Sequence, residues 1–182
     1  MPLKTENQIW ADIISAFNAA LADRGIAGFT VRQGNQPVKV TDTKPLVLVH
    51  KISETAVGSQ FRHDFVDEDT GLLQHEEGYF IELTYQVNAI KQRRDNDTTG
   101  TVTASDCVQA LRAWLMSEKG YLALRGNGYG ILAVKQIAQP YSTDESDAYE
   151  LSPHFDFTVC IKQSYREPVP EITDKTFTII RI

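Results

Sequence analysis

The stretch Tyr79-Phe80-Ile81-Glu82-Leu83-Thr84-Tyr85-Gln86-Val87-Asn88-Ala89-Ile90 decides the fold. Ile81, Leu83, Tyr85, Val87 and Ala89 alternate with Glu82, Thr84, Gln86 and Asn88. Successive side chains of a strand point to opposite faces, so this pattern reads as a half-buried antiparallel strand. The stretch Leu151–Ile161 repeats it, with Leu151, Pro153, Phe155, Phe157, Val159 and Ile161 on one face. Pro153 cannot donate to a ladder, which puts that portion at an edge or just outside the pairing. Between the two strands, Cys107, Val108, Leu111, Trp114 and Leu115 form the apolar stripe of a helix expected over Thr103–Ser117. Thr103 or Ser105 can cap it, Asp106 adds negative charge to its first turn, and Gly120 is expected to end it.

Working outward, Ile9, Trp10, Ile13, Ile14, Phe17, Ala20 and Leu21 recur at three and four residues. Glu6–Asp23 is therefore expected to be an amphipathic helix, with Thr5 and Gln8 at capping-box spacing and Gly25 as its left-handed stop. Gly25 to Pro45 is polar, with a short strand expected at Phe29–Arg32. Pro45–Ile52 reads as a buried strand, because Leu and Val run together. Gln60–Val66 and Tyr79–Ile90 read as two hairpin arms around an acidic loop, Asp67–Gly78. Lys91–Val102 is a polar linker that holds a basic cluster, Lys91, Arg93 and Arg94. Further strands are expected at Gly130–Ile137 and Lys175–Ile182, with a polar loop at Gln139–Asp147. The fold class that follows is α+β: one domain over residues 1–182, a mostly antiparallel β-sheet with two amphipathic helices packed on one face.

Composition limits the function classes. The chain has 182 residues, 42% hydrophobic and 23% charged, enough for a sizeable core. No apolar run approaches the roughly 20 residues that span a bilayer. The N-terminal residues lack the apolar segment of a secretion signal. Cys107 and Cys160 are then expected as buried, reduced thiols. A net charge of −6 argues against a surface dedicated to gripping nucleic acid. The acids are also unevenly spread. Lys and Arg are absent from His63–Ile90 and from Gln136–Ile161, windows that hold twelve of the 24 acids.

The residues offer no catalytic constellation. Gly126-Asn127-Gly128-Tyr129-Gly130 suggests a phosphate loop, but Ile131-Leu132-Ala133-Val134 after it is strand-like and supplies no helix N-terminus for an anion. A plain turn is the better reading. His50, His63, His75 and His154 are scattered, and His75-Glu76-Glu77 lacks the second His that a helical zinc site requires. Neither Cys lies in a redox or metal motif. The expectation is no enzyme activity, no cofactor and no metal site.

The order of elements carries a resemblance. An N-terminal amphipathic helix and a buried strand precede the long hairpin that ends in Tyr79–Ile90. Then come a polar spacer and the helix Cys107-Val-Gln-Ala-Leu-Arg-Ala-Trp-Leu. Next are Gly130-Ile-Leu-Ala-Val-Lys-Gln-Ile, Tyr149-Glu-Leu-Ser-Pro-His-Phe-Asp-Phe-Thr-Val and a Thr/Ile-rich C-terminal strand. From Trp10 to Ile182 this layout resembles the tail terminator (neck) proteins of long-tailed bacteriophages and prophages. The resemblance implies a virion protein, assembled in the host cytoplasm, that forms a homohexameric ring. Such a ring caps the tail tube protein, offers a joining surface to the head–tail connector protein, and meets DNA only as passing cargo. It binds no membrane. Part of the acidic set Asp67, Glu68, Asp69, Glu76, Glu77, Asp144, Glu145 and Asp147 is then expected to face the channel, because acidic walls repel phosphates that cationic walls would hold. Two other readings fit the same residues: another neck component such as a head–tail stopper, or a small-ligand or enzymatic α+β module.

Overall fold

The computed structural model describes residues 4–34, 45–91, 100–139, 141–143 and 149–169. In chain order the elements are α1 (Glu6–Asp23), β1 (Thr30–Gln33), β2 (Leu46–Val66), β3 (Leu73–Ile90), α2 (Ala104–Leu115), α3 (Glu118–Gly126), β4 (Tyr129–Val134), β5 (Tyr141–Thr143), β6 (Tyr149–Leu151) and β7 (His154–Pro168). Five strands form one sheet in the order β1-β2-β3-β7-β4, and β5 and β6 form a separate antiparallel pair. Within the large sheet only β1 is parallel to its neighbour. The fold is thus α+β with a mostly antiparallel sheet, as expected, but the described residues carry three helices.

α1 follows the expected bounds. Gln8 N–H donates to the Thr5 hydroxyl, the Gln8 side chain accepts from Thr5 N–H at 2.8 Å, and Gly25 has a φ of 66°. Ile9, Trp10, Ile13, Phe17, Ala20 and Leu21 are buried, which is the stripe read from the periodicity. α2 is likewise capped by Thr103, whose hydroxyl accepts from Asp106 N–H at 3.1 Å. Its Cys107, Val108, Leu111, Trp114 and Leu115 are buried.

Gly120 does not end α2. The helix stops at Met116, Ser117 caps a third helix, and Gly120 lies inside α3. Ser117 accepts from Gly120 N–H at 3.2 Å, with Glu118 and Arg125 placed to suit the helix dipole at either end. The glycine is required there by close approach rather than by conformation. A Cβ on Gly120 would collide with the carbonyl oxygen of Trp114.

The core forms where the helices meet the odd-numbered face of β3 and β7. Ile81, Leu83, Tyr85, Val87, Ala89, Phe155, Phe157, Val159 and Ile161 are buried with Val47 and Val49 of β2. Trp10 of α1 meets Tyr85 edge-on at 5.3 Å, and Phe17 meets Phe157 at 5.5 Å. Each aromatic pair adds roughly 0.5–1.5 kcal/mol beyond its area burial. Tyr129 on β4 donates its hydroxyl to Asp12 at 2.9 Å and so ties the far edge of the sheet to α1.

Several strand boundaries differ from the sequence reading: β1 and β4 are shifted, β4 ending at Val134 rather than Ile137, and the larger changes concern β2, β3 and β7. The segments expected as Pro45–Ile52 and Gln60–Val66 are one continuous strand, β2, with register shifts between Lys51 and Ser53 and between Val57 and Phe61. The hairpin loop shrinks from Asp67–Gly78 to residues 67–72, because Leu73 to Gly78 pair with β2 and Gln74 to Gly78 also with β7. Leu151 belongs to β6, whereas β7 begins at His154 and runs on to Pro168. Pro153 sits outside the ladder as expected, with its carbonyl accepting from Ala89 N–H at 3.3 Å. Residues 162–168, beyond the stretch Leu151–Ile161 read from sequence, are therefore strand. The glycine-rich segment is a turn: Asn127 caps α3 and strand β4 follows. The strand expected at Lys175–Ile182 lies outside the described residues, as do Arg93 and Arg94.

Candidate functional site: a three-stranded arm

Beyond Ile81 and Ile161 the buried apolar residues stop, yet β2, β3 and β7 continue together. This extension, residues 53–66, 73–80 and 162–168 with the turn 67–72, is an arm with solvent on both faces. Val66 (60%), Tyr79, Phe80 and Tyr165 (63%) are exposed on it, more apolar surface than a solvated sheet needs.

One face of the arm holds a charge cluster. Glu76 is only 2% exposed. Lys162 Nζ and Arg166 Nε stand 3.0 and 3.2 Å from its Oε1, and His63 Nε2 is 3.4 Å from Oε2. Among the described residues no donor is aligned for a hydrogen bond to Oε1, so the cations act there by charge. Burial pushes the Glu76 carboxyl up. The Ser164 hydroxyl and the charges of Lys162 and Arg166 outweigh it and hold the group at about 2. The cover is thin: the side chains of neighbouring strands shield the carboxylate, with no helix layer above.

The same cations lie over aromatic rings. Lys162 is 4.5 Å from the Phe61 ring centre, and Arg166 is 5.1 Å from that of Phe65. Phe61, His63 and Phe65 alternate along β2 and therefore share this face with Glu76, Lys162 and Arg166. Gly78 makes room: a Cβ there would collide with the Gln163 carbonyl oxygen and press on the Phe61 ring.

The candidate acids separate into unlike environments. Asp67 holds the turn, accepting from Thr70 N–H and hydroxyl at 2.9 Å and from Asp69 N–H at 3.1 Å. Those bonds hold its carboxyl below the usual range. Glu68 and Asp69 are exposed beside it. Glu76 and Glu77 are adjacent on a strand and so point to opposite faces. Glu77 pairs with Arg62 at 3.2 Å on the face away from Glu76. The arrangement corrects the expectation that Glu76 and Glu77 sit together in a solvated loop. Asp144, Glu145 and Asp147 lie outside the described residues. His75, expected in the same loop, is a strand residue 2.6 Å from Asp64, whose hydrogen bond raises the imidazole above its ordinary value.

Sequence reading missed Phe61, Phe65, Lys162 and Arg166. The signal was present: Phe61, His63, Phe65 and Lys162, Ser164, Arg166 each continue the period of two beyond the core. It went unread because neither run is uniformly apolar on one face.

Nothing in this cluster resembles nucleophilic or acid–base machinery, since the one buried carboxylate is already matched by cations. Residues 8–171 match the family model described as E217 gateway protein gp29. The chain belongs to this family. The family is one of phage structural proteins, in agreement with the resemblance that the layout of elements carries. No curated protein matches the chain. Among solved structures, 23 chains match the fold. One is in the cryo-EM structure of an extracellular contractile injection system, PVC sheath/tube terminator in extended state. It aligns with a TM-score of 0.50 at 13% identity over 100% of this gateway-family chain, a likeness of fold alone. The gateway-family chain spans 65% of that chain's length. No helix among the described residues is long and apolar enough to cross a membrane.

Proposed function

We propose that this protein caps the phage tail tube as a homohexameric ring and presents a head–tail joining surface to the connector, with DNA passing through it. The observation that carries the reading is the exposed arm on a chain of the gateway family. A monomer gains nothing from Val66, Tyr79, Phe80 and Tyr165 in water, whereas a ring can bury them between subunits. The tube protein as a partner draws support from the terminator likeness. In this ring the protein acts through its interfaces, without catalysis, cofactor or metal.

Within the ring, part of the acidic set faces the channel. Of the described acids, Glu68 and Asp69 at the arm tip are the most available, since Asp67 holds the turn and Glu76 is neutralised by its neighbours. Light scattering with negative-stain imaging tests the reading. A particle of six times the 20.4 kDa subunit mass with a central hole is expected. A monomer at high concentration that also fails to bind isolated tube ends would overturn it.

A further inference from the structure

β1 covers β2 only from Leu46 to Val49, and β4 covers β7 only up to Ile161. Past those points, among the described residues, no strand other than β3 lies beside residues 53–66 of β2 or 162–168 of β7. Among the described residues the arm is therefore a three-stranded sheet with two open edges. An open edge presents a row of unpaired N–H and C=O groups, and proteins blunt it with Lys, Pro or very short strands. Residues 53–66 contain neither Lys nor Pro, and the register shift between Val57 and Phe61 divides them into two runs. On β7 the single Lys, Lys162, is engaged with Glu76, and Pro168 comes only at the end.

We infer that residues 53–66 of one copy pair with residues 162–168 of the next, so that the arms join into one closed sheet around the ring. The inference rests on the ring reading above and names its contact. The occupant is a second copy because the two open edges differ. A head-to-tail contact from β2 to β7 uses both edges in every subunit, pairing all of residues 162–168 with part of residues 53–66. A foreign partner adding one strand would leave the second edge bare. Strand direction agrees: β2 and β7 both run antiparallel to β3, so copies related by rotation bring the two edges together as a parallel pair. Charge agrees as well. The β2 segment carries Glu54 and Asp64 against Arg62, and the β7 segment carries Lys162 and Arg166 against Glu167, so the edges have opposite net sign. Seven paired residues give a seam of about 23 Å.

Hydrogen exchange on the purified particle tests this. In an open edge strand every second amide points to solvent and exchanges nearly as fast as in an unstructured peptide, whereas in an interior strand all amides are held. The expected result is that consecutive amides of residues 162–168 and of a matching run of about seven residues within 53–66 exchange about a hundredfold or more slowly, while Glu68 and Asp69 in the turn stay fast. A ring of verified mass whose alternate amides in both segments exchange freely would overturn the edge pairing and leave the ring reading standing. A chain that stays monomeric, on tube ends as in solution, overturns both.

Discussion

The same three strands pass through two environments, and the contrast separates stability from assembly. From Ile81 to Ala89 and Phe155 to Ile161 the sheet is backed by helices, and its odd-numbered side chains are buried. From Leu73 to Phe80 and Lys162 to Pro168 it has no such backing, and large apolar side chains stand in water. The first region lowers free energy by removing apolar surface from solvent, about 25 cal/mol per Å². The second is held by cross-strand charge and ring contacts, which are individually small. Local opening should therefore start in the arm and leave the core intact.

The largest expected effect tests the core side. Phe157→Ala should cost about 3–5 kcal/mol, because it removes a buried ring that stacks on Tyr85 and meets Phe17 edge-on, and leaves a cavity. Phe61→Ala in the arm should cost about 1 kcal/mol or less, since the ring is only partly covered. Urea denaturation of both variants checks the pair, and equal losses would erase the distinction between the regions.

A steric comparison sharpens it. A Cβ at Gly120 meets the Trp114 carbonyl and one at Gly78 meets the Gln163 carbonyl, two similar backbone collisions. Gly120→Val should lower global stability by about 2–3 kcal/mol, because α3 must move off the core. Gly78→Val should leave the main thermal transition nearly in place and speed amide exchange around residues 73–80 and 162–166.

Glu76→Gln comes next, at about 1–2 kcal/mol, because two cations lose their partner in a thinly covered site. Its pH dependence has a definite sign. The folded carboxyl sits at about 2 against an ordinary value of 4.5. The stabilisation is thus fully present above about 4.5 and is lost as pH falls from there toward about 2. The Gln variant should show a flatter stability profile across that window and match its own neutral-pH value more closely at pH 3.

The smallest effect belongs to the arm tip. Glu68→Lys with Asp69→Lys should change stability by less than about 0.5 kcal/mol, as exposed loop charges contribute little. If these residues line the channel, the double variant should slow DNA ejection, most strongly at low salt where the phosphate attraction is least screened. Unchanged ejection at low salt would place them away from the DNA path.

Much of the core region was legible because its signals are local and redundant. Thr5 with Gln8, Thr103 with Asp106, and the stripes beginning at Ile9 and Cys107 each state a helix through spacing and capping together. α3 was not legible, because Gly120 is read as a stop when its role is to approach Trp114, a contact between residues on two different helices. Within the arm, residues 73–78 read as loop from sequence because His75-Glu76-Glu77 is polar. Polar residues on a strand become intelligible only when their cross-strand partners are known, and Lys162 and Arg166 lie more than eighty residues away in the chain.

By itself the sequence determined the helices α1 and α2, the alternating faces of β3 and β7, the α+β class and the family resemblance. These follow from periodicity and capping, which act over a few residues. Only the tertiary structure decided that β2 is continuous, that Glu76 and Glu77 face opposite ways with only the first shielded, and that three strands run on past the core with two open edges. Register between distant strands sets all three, and register is a property of the pairing rather than of any one segment.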